Sequence, residues 1–298
     1  MRPILDMSNI QIEITNACHN TCSNCTRLCG HHPEPYFMSM EKVKQAIDSV
    51  KHYPNITGIM GGEPLLHPEF KEICEYLKSV IPKEKCGLWT CLPKGKEHYR
   101  EIIAETFGHI FINDHTRDDI VHAPVLVASA ELPLKMWQKD YLINKCWVQN
   151  TWSAIINEKG AFFCEVAASL ATLLDVNDIA WDVEETWWTR SPKHFVSQME
   201  LCYFCGCAMS LEKRVSTEKI DDISPSMLKL LKDKSPKIKK GQYKLHDLKL
   251  VEKDERPVAT YKDHSYRDAI AKKYGMFLVC NELGYQTPYL LKTYTPET

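Results

Sequence analysis

The sequence predicts an α/β protein: a partial (β/α)6 barrel, then a small module rich in cysteine and tryptophan, then a C-terminal α/β tail. Three observations carry this. Short β-branched runs alternate with amphipathic segments of helical period through the first half of the chain. Most of the 13 cysteines fall into two separated groups. Five of the seven tryptophans (Trp147, Trp152, Trp181, Trp187 and Trp188) lie close to the second group.

In chain order, residues 10–14 form a first strand (Ile10, Ile12, Ile14) that leads into the first cysteines. Ser39 can N-cap a helix carrying Met40, Val43, Ile47 and Val50 on one face. Residues 55–60 read as a second strand closed by Gly61 and Gly62. Pro68 suits the first turn of a helix bearing Phe70, Ile73, Leu77 and Val80. Residues 86–90 give a third strand, 99–107 a third helix and 109–113 a fourth strand. Residues 125–128 and 154–156 give a fifth and a sixth. Strands that alternate with helices pair in parallel and carry the helices outside. Residues 157–160 (Asn-Glu-Lys-Gly) make a hairpin turn into 161–164. The expected division is a barrel core over 1–145, the small module over 146–210 and a C-terminal extension over 211–298, with a helix near 266–274.

A chain of 298 residues with 44% hydrophobic content and a formal charge of −2 is long enough for one large domain plus a module. No run of about 18 apolar residues predicts a membrane span. Residues 1–9 lack the basic-then-apolar pattern of a secretory signal, so a cytoplasmic protein is expected. Thiols stay reduced there, and grouped cysteines then point to metal or catalysis. The near-neutral charge argues against a dedicated nucleic-acid binder. Residues 229–249 hold eight Lys against two Asp, a solvated face or a phosphate contact.

Three thiols lie within eight residues in Cys18-His-Asn-Thr-Cys22-Ser-Asn-Cys25. A 4Fe–4S cluster normally takes four cysteines, and three leave one iron open for another ligand. The alternative is a zinc site completed by Cys29, His31 or His32. The triplet follows the first strand, and Gly61-Gly62-Glu63-Pro64 closes the second. In these two motifs the sequence resembles the radical SAM superfamily over residues 10–157. That resemblance implies a 4Fe–4S cluster on Cys18, Cys22 and Cys25, with S-adenosyl-L-methionine on the open iron and Gly61, Gly62, Glu63 and Pro64 lining its methionine end. Reductive cleavage would give a 5′-deoxyadenosyl radical that removes a hydrogen atom from substrate. The family usually carries an aromatic residue before the third cysteine. Here it is Asn24, which leaves adenine to the Asn24 backbone or to other groups. Asn113, ending the fourth strand, is the candidate ribose contact.

Cys146, Cys164, Cys202, Cys205 and Cys207 form the second group. Four thiolates can close a second 4Fe–4S cluster, and a structural zinc or inert thiols are the alternatives. The pattern resembles the twitch module, the short relative of the SPASM domain: a cysteine, a hairpin with Gly160 before Cys164, then Cys202-x2-Cys205, with Cys207 able to replace Cys205. Two 4Fe–4S clusters and an external electron donor such as flavodoxin or ferredoxin are thereby implied.

The resemblance implies oxidation or epimerisation of a small polar substrate, a sugar or aminocyclitol. An epimerase needs a thiol donor, for which Cys91 and Cys207 are the leading candidates among the spare thiols Cys29, Cys91, Cys207 and Cys280. A dehydrogenase needs a proton acceptor, for which Glu165, Asp114 and His115 are candidates. The alternatives are a peptide-modifying enzyme (epimerase or crosslinking maturase), for which no recognition domain fits before Cys18, and a zinc-binding interaction protein. Cys74 and Cys86 read as core cysteines, and one of Trp187 and Trp188 as a cleft residue.

Overall fold

The computed structural model describes residues 1–113, 115, 120–151 and 153–251. Its elements are β1 (Asn9–Glu13), α1 (Met40–Ser49), β2 (Ile56–Met60), α2 (Phe70–Val80), β3 (Cys86–Thr90), α3 (Arg100–Thr106), β4 (His109–Ile112), β5 (Val121–His122), α4 (Met136–Asn144), α5 (Trp147–Thr151), β6 (Ala154–Asn157), β7 (Gly160–Phe162), α6 (Glu165–Leu174), α7 (Val196–Met199), β8 (Arg214–Val215), β9 (Asp221–Ile223), α8 (Pro225–Leu231), α9 (Pro236–Lys239) and β10 (Tyr243–Leu245). The expected helix near 266–274 lies outside the described residues.

The main layer is a six-stranded sheet in the order β4-β3-β2-β1-β6-β7. β1 pairs in parallel with β2 and β6, and β2–β3 and β3–β4 are parallel as well. Only β7 is antiparallel, as the hairpin partner of β6. This is a mixed α/β fold with a parallel-dominated sheet, consistent with a partial barrel. Every residue of β1, β2 and β3 is buried, as expected for parallel strands covered on both faces. Ser39 caps α1 by accepting from the Lys42 N–H, and α1 buries Val43, Ala46 and Ile47. Phe70, Ile73, Cys74 and Leu77 form the buried stripe of α2. Cys74 and Cys86 are core residues, as predicted.

One expectation is corrected. Residues 125–128 are buried and extended, but they join no strand of the main sheet. Their one ladder contact is a bridge from Leu126 to Ile223. The Val125 and Leu126 carbonyls accept from Gly206 N–H and Ser224 N–H instead. An apolar run predicts burial, and here loops from far along the chain satisfy its backbone. The sixth predicted strand is β6, yet it adds to the free edge of β1 beyond the consecutive run of β1 to β4. β6 and β7 thus extend the same sheet as β1 to β4.

The predicted alternation on β1 has an unexpected sense. Ile10 and Ile12 alternate with Asn9, Gln11 and Glu13, and the polar set is buried too. Gln11 lies opposite Gly58, and Gly58 opposite Gly87. Trp89 lies across both glycines: a Cβ on Gly58 would stand 1.8 Å from its ring. Trp89 also stacks on Phe111 at 4.2 Å.

Past the second cysteine group, β9 and β10 form a parallel pair joined through α8 and α9. Seven of the eight lysines in 229–249 are exposed, as a solvated face requires, and Lys237 alone is buried. Trp187 and Trp188 both donate their ring N–H to Ser49 at the end of α1, to its hydroxyl (3.2 Å) and its carbonyl (3.0 Å). Trp152 is outside the described residues.

Candidate active site

The first cysteine loop leaves the C-terminal end of β1, where a parallel sheet opens its binding crevice. Its entry is fixed by the turn after β2. Gly62 N–H donates to the Thr15 carbonyl (2.8 Å) and Glu63 N–H to the Ala17 carbonyl (2.7 Å). A Cβ on Gly61 would fall 2.5 Å from the Thr15 oxygen, and one on Gly62 2.3 Å from that of Ala17. The two glycines thus admit the backbone that presents Cys18.

Glu63 is buried and spans β2 to β3. One carboxylate oxygen accepts from Thr90 Oγ1 (2.5 Å) and Leu65 N–H (3.1 Å), the other from Cys91 N–H and Cys91 Sγ (2.9 Å each). Its role here is to join strand ends. Pro64 opens the short helical turn Pro64–Leu66 behind it. Cys91 Sγ also lies 3.5 Å from His19 Nε2, beside the first loop, and burial followed by the Glu63 charge pushes its thiol up. Asn113 follows β4 and donates its N–H to the Thr90 carbonyl (2.9 Å).

Cys18, Cys22 and Cys25 interact electrostatically within this loop. Burial, then repulsion from Cys25 and Cys18, pushes the Cys22 thiol up. A hydrogen bond from Cys29 brings Cys25 down to about 6. Cys29 is buried and hydrogen-bonds both Cys18 and Cys25, so it stands with the triplet. The other two proposed fourth ligands differ. His31 is turned to Asp221 (2.6 Å) and Ser235 (2.8 Å). His32 is held neutral by burial and by His31, its ring brought down to about 4. Asn24 sits at φ 50° and is consumed by β9: its N–H donates to Asp221 Oδ1 (2.5 Å) and its amide to Asp222 Oδ2 (2.9 Å).

The second group gathers at one small cavity. Cys146, Cys164, Cys202, Cys205 and Cys207 line it together with apolar residues such as Phe163, Leu170 and Leu201. Cys146 follows α4, Cys164 caps α6, and the last three lie on and just after the turn Glu200–Phe204. Burial pushes Cys146 up to about 12 and raises Cys164 and Cys202 as well. A hydrogen bond between Cys205 and Cys207 lowers the Cys205 thiol and raises that of Cys207. Both thiol sets fit an iron–sulfur cluster by donor type and number: four thiols in the first loop, five around the second cavity. Among the described residues no three His, Cys, Asp or Glu side chains are drawn together as the shell of a single metal ion.

Between the two groups lies a buried charge network. Arg27, 5% exposed, reaches Glu13 Oε2 (3.1 Å) and Glu165 Oε1 (3.5 Å), and both carboxylates are 3% exposed. Tyr36 OH donates to Glu13 Oε1 (2.5 Å). Arg27 feels Cys25 of one group and Cys164 of the other. Burial pushes both carboxyls above their usual range, against the pull of Arg27. Arg27 Nε and Nη2, Gln11 Oε1 and Trp89 Nε1 are buried without a hydrogen-bond partner. Of this set only Glu165 was predicted. A signal for the rest existed: Gln11 and Glu13 are polar within a β-branched run, and Arg27 stands between two cysteines. Asp114 and Cys280 are outside the described residues, and His115 packs its ring on His122 (5.3 Å).

No curated protein matches the chain. Several solved structures align with it, two of BtrN among them. The crystal structure of BtrN in complex with AdoMet and 2-DOIA is 13% identical at a TM-score of 0.43, over 66% of this chain and 87% of that one. Selenomethionine BtrN in an open conformation is 13% identical at 0.41, over 70% and 95%. The end of β1, the first cysteine loop and the Gly61–Gly62 turn fall within residues 12–135, and those residues match the family model of the Radical SAM superfamily.

Proposed function

We propose that the chain is a radical SAM enzyme that oxidises a small polar substrate held between the two thiol groups, a hydroxylated ring such as a sugar or aminocyclitol. The observation that carries this reading is the Glu13–Arg27–Glu165 network, which lies between a thiol loop of the radical SAM pattern and a second, enclosed thiol cavity. When bound, S-adenosyl-L-methionine and the clusters supply a hydrogen-atom acceptor and an acceptor for one further electron.

The chain's own residues do the rest. Cys18, Cys22 and Cys25 would hold the first cluster, with Cys29 alongside. Cys146, Cys164, Cys202 and Cys205 would hold the second, with Cys207 hydrogen-bonded to Cys205. Gly61, Gly62 and Glu63 set the loop and the β3 end against each other. Glu13, Glu165 and Arg27 offer acceptors and donors to substrate hydroxyl or amino groups in a site shielded from water, where such contacts are strong. Their carboxylates are the candidates to take a hydroxyl proton.

Epimerisation is disfavoured by where the two candidate donors lie. Cys91 is bound to Glu63 beside the first loop, and Cys207 is enclosed with the second group. The test is to reduce the reconstituted protein and supply sugars and aminocyclitols with S-adenosyl-L-methionine in deuterated water. A carbonyl product without carbon-bound solvent deuterium is expected. A product with deuterium at an inverted carbon would replace oxidation by epimerisation. A flavodoxin or ferredoxin is the expected electron source.

A further inference from the structure

The first cysteine loop is gripped from the far end of the described chain. Lys237 Nζ donates to the Cys22 carbonyl (2.9 Å) and pairs with Asp221 Oδ2 (2.8 Å). Asp221 Oδ1 accepts from Asn24 N–H, and Oδ2 also binds His31 Nε2 (2.6 Å). His31 Nδ1 reaches Ser235 Oγ (2.8 Å). Lys237 and His31 are 1% exposed, Asp221 2% and Ser235 0%. Ser23 adds two contacts, N–H to the Ser216 carbonyl (2.9 Å) and Oγ from Ile220 N–H (3.0 Å).

The order Ser235, His31, Asp221 has the look of a nucleophile triad. It is not built as one. Ser235 is fully buried and its hydroxyl caps α9 by accepting from Ile238 N–H (3.2 Å). The cluster holds a loop. A buried lysine is costly unless paired, and removal of either partner strands the other charge. This ammonium is retained next to the carbonyl of a candidate ligand residue, and its charge acts on both Cys22 and Cys25.

We propose that Lys237 is a positioning residue of the first cysteine loop, and that its ammonium, balanced by Asp221, sets the reduction potential of the cluster held there. The inference rests on the reading of Cys18, Cys22 and Cys25 as cluster ligands. A reduced cluster carries one more negative charge than an oxidised one, so a nearby cation favours reduction and a nearby anion opposes it. Lys237→Met leaves the Asp221 charge uncompensated beside the loop. Asp221→Asn leaves the Lys237 charge uncompensated. The two changes must therefore move the potential in opposite directions.

The experiment is a redox titration of the reconstituted full-length chain, followed by electron paramagnetic resonance. The second cluster in the same molecule serves as the internal reference. Lys237→Met is expected to lower the reduced-to-oxidised ratio of the first cluster at fixed potential by about tenfold, which is about 59 mV for one electron. Asp221→Asn is expected to raise it, Lys237→Arg to stay near the parent, and the second cluster to stay put in all three. Shifts of the same sign in the first two variants, or none, overturn the proposal. If Lys237→Met fails to take up the first cluster, uptake by Lys237→Arg supports the positioning role, and failure of both overturns it. A parent protein with no iron at the first loop instead overturns the cluster reading itself.

Discussion

The two thiol groups are built by opposite means. The first sits on a loop whose shape comes from buried polar contacts: the Asp221–His31–Lys237 cluster, the Asn24–Asp222 pair and the docking of Gly61 and Gly62. The second sits in a cavity walled by Phe163, Leu170 and Leu201, with its cysteines fixed by α6 and by the turn at Glu200–Phe204. Polar contacts are directional and fix a loop that must stay open to a ligand. Apolar packing encloses and dehydrates, and under the proposed function that would suit a cluster that relays electrons. Arg27 is the element that feels both.

The comparison breaks most sharply at the cysteines. A parent chain with two clusters should carry about eight irons after anaerobic reconstitution, four per cluster. Cys22→Ala is expected to halve the iron and abolish 5′-deoxyadenosine formation. Cys164→Ala is expected to halve the iron yet keep cleavage of S-adenosyl-L-methionine, with loss of the oxidised product. Zinc without iron in the parent would remove the enzyme reading.

The next largest effect falls on the network between the groups. Arg27→Met leaves Glu13 and Glu165 buried without their cation and should cost about 3–5 kcal/mol in denaturant unfolding. The loss has a pH sign. Both carboxyls lie above their usual range in the folded chain, so the folded state binds more protons than the unfolded one above about pH 4.5. Stability from this pair falls as pH rises, and the variant should be weakest on the alkaline side. An effect flat in pH would mean that the carboxylates are not buried as described.

Leu170→Ala, in the wall of the second cavity, should cost about 2–5 kcal/mol. It should release iron from the second group only, as read by the spectrum of each cluster.

The smallest effect is acid sensitivity. His32 and His122 are held neutral chiefly by burial, and His122 hydrogen-bonds the Ser23 carbonyl in the first loop (2.7 Å). Among the described residues, no histidine lines the second cavity. Both rings are lowered, His32 to about 4, so the unfolded state binds more protons below about pH 6.5; stability is complete above that value and falls as pH descends from it. Iron should leave the first group before the second as pH is lowered to about 5. Simultaneous loss would dissolve the distinction.

Much of this was readable from the sequence, and the division follows range. β1 to β4, α1 to α3 and the β6–β7 hairpin come from local pattern, and the structure places them within a few residues of the predicted bounds. The gathering of each cysteine group follows from short spacing and, for the second, from the hairpin. What pattern could not supply is long-range pairing. Nothing near Asn24 announces Asp221 and Asp222 nearly two hundred positions on. Lys237 looks like one of eight similar lysines until its burial is known. Residues 125–128 read as a strand because burial was legible and pairing was not. The polar face of β1 was legible too, but a period of two does not say which face is solvated.

Under the proposed function the first loop is the place where S-adenosyl-L-methionine is cleaved and the second group is a relay. The most direct measurement is 5′-deoxyadenosine formed by the reduced parent, by Cys22→Ala and by Cys164→Ala under identical conditions. Formation is expected in the parent and in Cys164→Ala, and none in Cys22→Ala. Formation that survives Cys22→Ala, or that is absent from a parent loaded with both clusters, would contradict the proposed function.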